Sequence, residues 1–281
     1  MKKFLALILT ITTLSAVASE VTTQEYSQLF KHYEACFILY NLDDYKVVSE
    51  YNPNNRCQQR IAPDSTFKVA LSLMAFNQSI IGPNTIFKWD GRKRELPTWN
   101  QDQTPYSWLK YSTVWVSQRI TPQLGYVRIK HYLAGFDYGN QDFSGDPGKH
   151  NGLTEAWLSS SLKISAVEQL NFLNAMLSNE LPVSNEAVNN TRKNLYLGKL
   201  DKGLDYYGKT GSGRHKEHKR EVSSKELRDA WFIGFIDNGA QHYTFVSNLS
   251  DKVTPATHNK PLGSPTLMPI TIKLLNNFFT K

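Results

Sequence analysis

Ser65 and Lys68 stand three residues apart in Pro63-Asp64-Ser65-Thr66-Phe67-Lys68, a pairing suited to activating a hydroxyl for nucleophilic attack. On a helix, positions i and i+3 share a face, so the lysine amine can reach the serine oxygen. Serine is a poor nucleophile until a base takes its proton. Lysine serves as that base only where its surroundings hold it neutral or convert it chemically. The spacing alone is a weak signal, because a solvated helix start with a surface lysine has the same pattern. The next residues change its weight. Val69-Ala70-Leu71-Ser72-Leu73-Met74-Ala75-Phe76 is apolar nearly all round, the pattern of a buried helix. A lysine at the head of such a helix requires an explanation, since burying a free ammonium is costly.

Four further segments place polar groups in unusual company. Lys209-Thr210-Gly211, followed by Ser212-Gly213, reads as a strand whose small residues let a ligand approach the backbone. Ser112-Thr113-Val114 lies between Tyr111 and Trp115. Tyr138-Gly139-Asn140 taken alone is a turn, and Trp157 taken alone is a core tryptophan.

The elements that must position these groups fall into two sets. Strand signals gather at the chain ends. Residues 36–40 and 45–48 read as a hairpin, entered from a short helix at about 24–32. Residues 205–209 and 230–236 read as strands, and Asp237-Asn238-Gly239 is a strong hairpin signal leading into 241–246. Residues 267–279 form a last helical pattern. The middle, 65–200, is mostly helical, with Ser165 as N-cap for a helix over 167–177. No internal repeat, low-complexity tract or linker interrupts the chain. The expected fold is therefore of the α/β (α+β) class: one sheet assembled from 19–64 and 201–281, flanked by helices, with a mostly helical subdomain at 65–200 inserted between. Ser65 lies where the first part hands over to the insert, and Lys209 where the insert hands back. A cleft between subdomains is a common place for a site.

The first residues read as an export signal. Lys2 and Lys3 precede an apolar stretch at 4–14 that is too short to span a bilayer, and Ala16-Val17-Ala18 is an A-x-A cleavage site. Cleavage after Ala18, with Ser19 as the alternative, leaves 19–281 as one exported catalytic domain without a membrane span. The net charge of +7 is a mild excess spread along the chain and gives no reason to invoke nucleic acid. The dense run Arg214-His215-Lys216-Glu217-His218-Lys219-Arg220 reads as a solvated hairpin tip; His215 and His218 lack a third and fourth ligand, so no metal is expected. An oxidising compartment permits a disulfide between Cys36 and Cys57, and the hairpin they flank makes proximity plausible without deciding the bond.

Taken in order, Ser-x-x-Lys, Ser-x-Val, Tyr-Gly-Asn, Trp-Leu and Lys-Thr-Gly resemble the class D serine β-lactamases, the oxacillinases, over nearly the whole mature chain. The likeness extends through Ala62 to Lys68, through Phe136-Asp137-Tyr138-Gly139-Asn140-Gln141-Asp142-Phe143-Ser144-Gly145, and through Trp231-Phe232-Ile233-Gly234-Phe235. Class A enzymes carry Ser-Asp-Asn where this chain has Ser112-Thr113-Val114. The resemblance implies a β-lactamase/transpeptidase-like fold, a periplasmic location and hydrolysis of penicillin-type β-lactams. It implies that Ser65 forms an acyl-enzyme. It implies that Lys68 is N-carboxylated by carbon dioxide (N6-carboxylysine) and acts as general base. It further implies that Ser112 relays a proton to the leaving nitrogen under the influence of Lys209, and that Trp157 and Val114 support the carbamate in a dry pocket. The backbone N–H groups of Ser65 and Ser212 would form an oxyanion hole, worth about 3–4 kcal/mol of barrier. Thr210, Gly211 and Ser212 would bind substrate, and Trp99 would stack on its acyl side chain. The need for carbon dioxide or bicarbonate is the one requirement beyond the chain; no other cofactor is implied.

One departure stands out. Many class D enzymes carry an arginine that grips the substrate carboxylate, and here the corresponding stretch is Lys260-Pro261-Leu262-Gly263-Ser264-Pro265. Thr210 and Ser212 are then the expected anion clamp, with Arg214 or Lys260 as weaker candidates. Two alternatives share the motifs: a DD-peptidase of the penicillin-binding type that acylates without rapid turnover, and a β-lactam sensor domain. A Ser-His-Asp hydrolase is disfavoured, since no Gly-x-Ser-x-Gly elbow occurs and none of the seven histidines has a base-like setting.

Overall fold

The apolar run near residue 233 becomes a central strand in a computed structural model that describes residues 23–216, 226–237, 239, 241–252 and 263–280. In chain order the elements are α1 (Thr23–Leu29), β1 (Tyr33–Asn41), β2 (Lys46–Tyr51), α2 (Phe67–Asn77), α3 (Pro105–Lys110), α4 (Val114–Leu124), α5 (Tyr126–Gly135) and α6 (Gly152–Glu155). There follow α7 (Ala166–Leu177), α8 (Asn185–Asn194), β3 (Tyr196–Lys199), β4 (Asp205–Lys216), β5 (Glu226–Asp237), β6 (His242–Asp251) and α9 (Gly263–Phe279). Among the described residues the strands form one six-stranded sheet in the order β2-β1-β6-β5-β4-β3, every pairing antiparallel.

Alternation along β5 explains how the sheet buries both faces. Ala230, Phe232 and Ile236 point into a cluster with Tyr26 and Phe30 from the α1 region and Leu267, Leu274 and Leu275 of α9. Trp231, Ile233 and Phe235 point into a second cluster built on α2, α4, α5 and α7. Each large side chain so buried contributes roughly 1.5–3 kcal/mol. The two chain ends meet where β1 pairs with β6, Cys36 lying opposite Asn248. Helix α2 is buried from Phe67 to Phe76, Lys68 included. Ser165 caps α7 by accepting from Glu168 N, and Glu168 returns the bond in a capping box.

Cys36 and Cys57 form a disulfide with a Cα separation of 5.1 Å. It ties β1 to the short 3₁₀ turn Pro53–Gln58 just ahead of the Ser65 segment. The bridge spans 21 residues, a loop whose lost chain entropy corresponds to about 3 kcal/mol of stability.

The structure extends several expected elements. Strand β4 runs on to Lys216 because β5 pairs with it along its length, and β6 runs on to Asp251, which pairs with Tyr33 of β1. Helix α1 is shorter than expected, since from Tyr33 the chain is already paired with Asp251. Helix α9 begins at Gly263, ahead of Pro265, which a first turn tolerates. Strand β3, four residues with Gly198 inside, lies within the segment expected to be helical; its register to β4 is broken near Gly198, and it carries too little alternation to be legible. The export signal, the basic run from residue 217 to 220, Lys260 and the Asn238 turn position lie outside the described residues. Among the described residues no helix is long and apolar enough to cross a membrane.

Candidate active site

Ser65 sits in a 3₁₀ turn, Asp64–Thr66, that leads directly into α2. The turn is fastened from several sides. Asp64 N donates to Trp157 O at 2.9 Å, Thr66 Oγ1 to Pro63 O at 2.7 Å, and Trp231 Nε1 to Ala62 O at 2.8 Å. Asp64 takes the left-handed conformation (φ 46°), a strained setting for a residue with a side chain. Ser65 stays partly exposed while its neighbours are buried.

Lys68 is fully buried, and its Nζ donates to Ser65 Oγ at 3.0 Å. Burial pushes the Lys68 amine down to about 7, and the Asp64 charge only partly opposes it. A neutral amine 3.0 Å from a hydroxyl is positioned to accept its proton. Lys209, from β4, is also buried; its Nζ donates to Ser112 Oγ and, at 2.9 Å, to Thr210 O. Burial, and then repulsion from Lys68, hold Lys209 well below the usual lysine range. Ser112 lies between α3 and α4 in the left-handed conformation (φ 54°). The fold thus brings two Lys–Ser pairs, Lys68–Ser65 and Lys209–Ser112, into one charge-sensitive cluster.

Val114 opens α4 and is half-buried. Trp157 is fully buried, stacked on Phe67 (5.5 Å between centroids) and Phe143 (5.9 Å). Its Nε1–H has no hydrogen-bond partner among the described residues. A buried donor left unpaired costs on the order of 1–3 kcal/mol, so it marks a place where an acceptor belongs. Tyr138 packs edge-on against Phe172 and Phe67, while Asn140 bonds Ser161 O and Lys163 N, so Tyr-Gly-Asn holds the loop that follows Trp157.

Strand β4 runs hard against the Ser65 turn. A Cβ on Gly211 would stand 2.9 Å from Pro63 O, so only glycine fits this crossing. Thr210 and Ser212 are partly exposed. Ser212 Oγ lies 2.5 Å from Ser264 Oγ and accepts from Ser264 N at 3.1 Å, bringing the start of α9 to β4. Arg214 is engaged by Glu226 at 3.0 Å. Trp99 is half-buried; its Nε1 donates to Tyr111 O at 2.8 Å and its carbonyl accepts from Trp115 Nε1 at 3.0 Å, which pins it to the Ser112 loop.

Asp64, Ser159 and Ser264 were not singled out from sequence. Asp64 Oδ1 accepts from Ser159 N at 2.9 Å and Ser159 Oγ at 3.1 Å, and that hydroxyl accepts from Arg214 N at 2.9 Å. One bridge therefore joins the Ser65 turn to β4. Burial first, and Asp229 second, push Asp64 up to about 7, against the bonds from Ser159 and the charge of Lys163. The available signal for Asp64 was a carboxylate directly ahead of a buried helix; for Ser264 it was the hydroxyl in the stretch that lacks arginine.

The model of the penicillin binding protein transpeptidase domain matches residues 19–267. The chain is 48% identical to Beta-lactamase OXA-1 of Escherichia coli over 237 residues, covering 84% of this chain and 83% of that one. Among solved structures, the OXA-427 class D β-lactamase superposes with a TM-score of 0.78 at 34% identity, covering 88% of this chain and 99% of that one. The C-terminal domain of the Bacillus licheniformis BlaR penicillin-receptor gives a TM-score of 0.75 at 28% identity, covering 89% and 93%.

Proposed function

The chain belongs to the class D β-lactamases, and from that membership we propose that it opens penicillin-type β-lactams through an acyl-enzyme on Ser65, with carboxylated Lys68 as the base. The observation that carries this reading is the buried Lys68 amine on Ser65 Oγ, on a helix whose first residue, Phe67, stacks on Trp157, whose N–H has no acceptor among the described residues. Carboxylation of Lys68 by carbon dioxide, with loss of a proton, would supply acceptor oxygens in place of an ammonium that this pocket disfavours.

The roles of the residues follow from their positions. Lys68 takes the Ser65 proton as Oγ attacks the lactam carbonyl. The N–H groups of Ser65 and Ser212 receive the developing oxyanion. As the C–N bond breaks, Ser112 gives its proton to the leaving nitrogen, and Lys209, already bonded to Ser112 Oγ, stabilises the oxygen left behind. Passage of the proton held at Lys68 to the Ser112 oxygen restores both groups; Lys68 then takes a proton from water as it attacks the ester and returns that proton to the departing Ser65 oxygen. Thr210, Ser212 and Ser264 hold the substrate carboxylate, with Gly211 allowing close approach; the half-buried face of Trp99 meets the acyl group, and Val114 limits water near Lys68. The reading includes export: removal of residues 1–18 would deliver the enzyme to the periplasm, where it would protect the cell against β-lactams.

Steady nitrocefin hydrolysis beyond one equivalent tests the whole reading. The likeness to a penicillin-receptor domain favours a second one, in which Ser65 is acylated and stays so. A burst of one equivalent without turnover would select it.

A further inference from the structure

Behind the Ser65 turn, on the side of Ala62, lies a second cavity of about 490 Å³ with charged walls. Its charges are unevenly matched. Arg56 is 5% exposed, yet its guanidinium bonds neutral groups alone: Asn248 Oδ1 at 3.2 Å, Gln59 Oε1 at 3.0 Å and Ser250 Oγ at 2.6 Å. Lys163, half-buried in the same wall, has no carboxylate within ion-pair distance among the described residues. The wall's carboxylates are spoken for. Asp229 is bonded by His215 Nδ1 at 2.8 Å and by Ser250 Oγ, and Asp251 is gripped by Arg228. That leaves Glu34 against Arg56, Lys163 and, at the rim, Lys252.

Asn248, fully buried and not itself part of the wall, gives its Oδ1 to Arg56 and so helps hold the guanidinium in place. The guanidinium has Asp229 and Glu34 near enough to act on it electrostatically, yet its hydrogen bonds all go to neutral groups, and Lys163 in the same wall pairs with no carboxylate among the described residues; an anion with several acceptor oxygens would engage both cations directly.

We propose that this cavity binds a phosphate-type oxyanion, free or as a monoester group, between Arg56, Lys163 and His215. Arg56 supplies a planar fork suited to a tetrahedral oxyanion, Lys163 a mobile point charge, and His215 a ring whose Asp229 contact favours the protonated form. The site is separate from the Ser65 cleft, but two of its wall residues, Lys163 and Asp229, act electrostatically on Asp64 next to Ser65.

Isothermal titration of the full mature protein with sodium phosphate, and in a second arm with glycerol 3-phosphate, tests this at ionic strength held constant with sodium chloride. The expected result is saturable one-site binding in at least one arm, weakened about tenfold or more in Lys163→Met and in Arg56→Gln, since each removes a charge-assisted contact. Binding in the first arm alone assigns a free anion, and in the second alone a monoester. Should Arg56→Gln, which removes a buried group, fail to fold, the half-buried Lys163→Met carries the test. Heats no larger than those of chloride, binding unchanged in Lys163→Met, or binding displaced by benzylpenicillin would each overturn the proposal.

Discussion

The Asp64 carboxylate occupies the space that a side chain at Gly213 would need: a Cβ there would stand 2.1 Å from Asp64 Oδ2. The Ser65 turn and β4 are therefore interlocked through one carboxylate and one missing methyl group. Gly213→Ala must displace one or the other. Because misplacing reacting groups by about 1 Å can lower rates roughly 100-fold, nitrocefin kcat/KM should fall by about that factor in a protein that still folds. Unchanged kinetics would mean that the interlock does not set the geometry of Ser65.

Asp64 should also give the protein a pH-dependent stability. Its carboxyl is pushed up from 3.8 to about 7, so the folded state binds this proton more tightly than the unfolded chain does. The stability it contributes is complete below about pH 4 and is lost as pH rises through 7. Asp64→Asn stays neutral and removes that slope, so wild type should lose on the order of a few kcal/mol relative to the variant between pH 4 and 8. Urea unfolding at pH 4, 6 and 8 measures it. The same substitution removes an anion that supports the charge on Lys68. The acid limb of kcat/KM should accordingly move to lower pH, and a stationary limb would count against the coupling.

Activity should fall in bicarbonate-free acidic buffer, where Lys68 is protonated and loses carbon dioxide, and recover when bicarbonate is added. Trp157→Phe deletes the orphaned N–H and should make recovery require more bicarbonate. Lys68→Ala should trap the acyl-enzyme, seen by mass spectrometry on Ser65 after exposure to penicillin. Indifference to bicarbonate in wild type would rule out the carbamate.

For the substrate carboxylate, Ser264→Ala and Thr210→Ala should raise KM several-fold with a smaller change in kcat. Arg214→Ala should leave KM within about twofold, because that guanidinium faces Glu226 in an exposed pair of a kind worth about 1 kcal/mol or less. A large KM increase in Arg214→Ala, with Ser264→Ala silent, would reverse the assignment.

Cys57→Ser should lower the unfolding free energy by about 3 kcal/mol, the chain entropy of the loop that Cys36 and Cys57 close. Thermal unfolding with and without reductant gives the comparison. A midpoint unmoved by reductant in wild type would show that the bond adds no stability.

Local chemistry was legible in the residues themselves. The three-residue spacing of Ser65 and Lys68, the apolar run behind them, the Ser165 cap and the alternating strands at both chain ends depend on near neighbours, and near neighbours are what a sequence displays. The short strand β3 escaped because Gly198 breaks the only alternation it has. Asp64 escaped for a different reason. Its partners, Ser159 and Gly213, lie 95 and 149 positions along the chain, and no local pattern marks a bond of that range.

By itself, then, the sequence determined which groups could react: a serine with a lysine one helical turn away, a second serine and lysine, and a tryptophan. The tertiary structure alone decided how they behave. It withdrew Lys68 and Lys209 from water, which lowers both amines, and placed Ser264 beside Ser212. It closed Cys36 onto Cys57 and left the Trp157 N–H without an acceptor among the described residues. Desolvation and unpaired donors are properties of enclosed space, which exists only once distant segments have packed together.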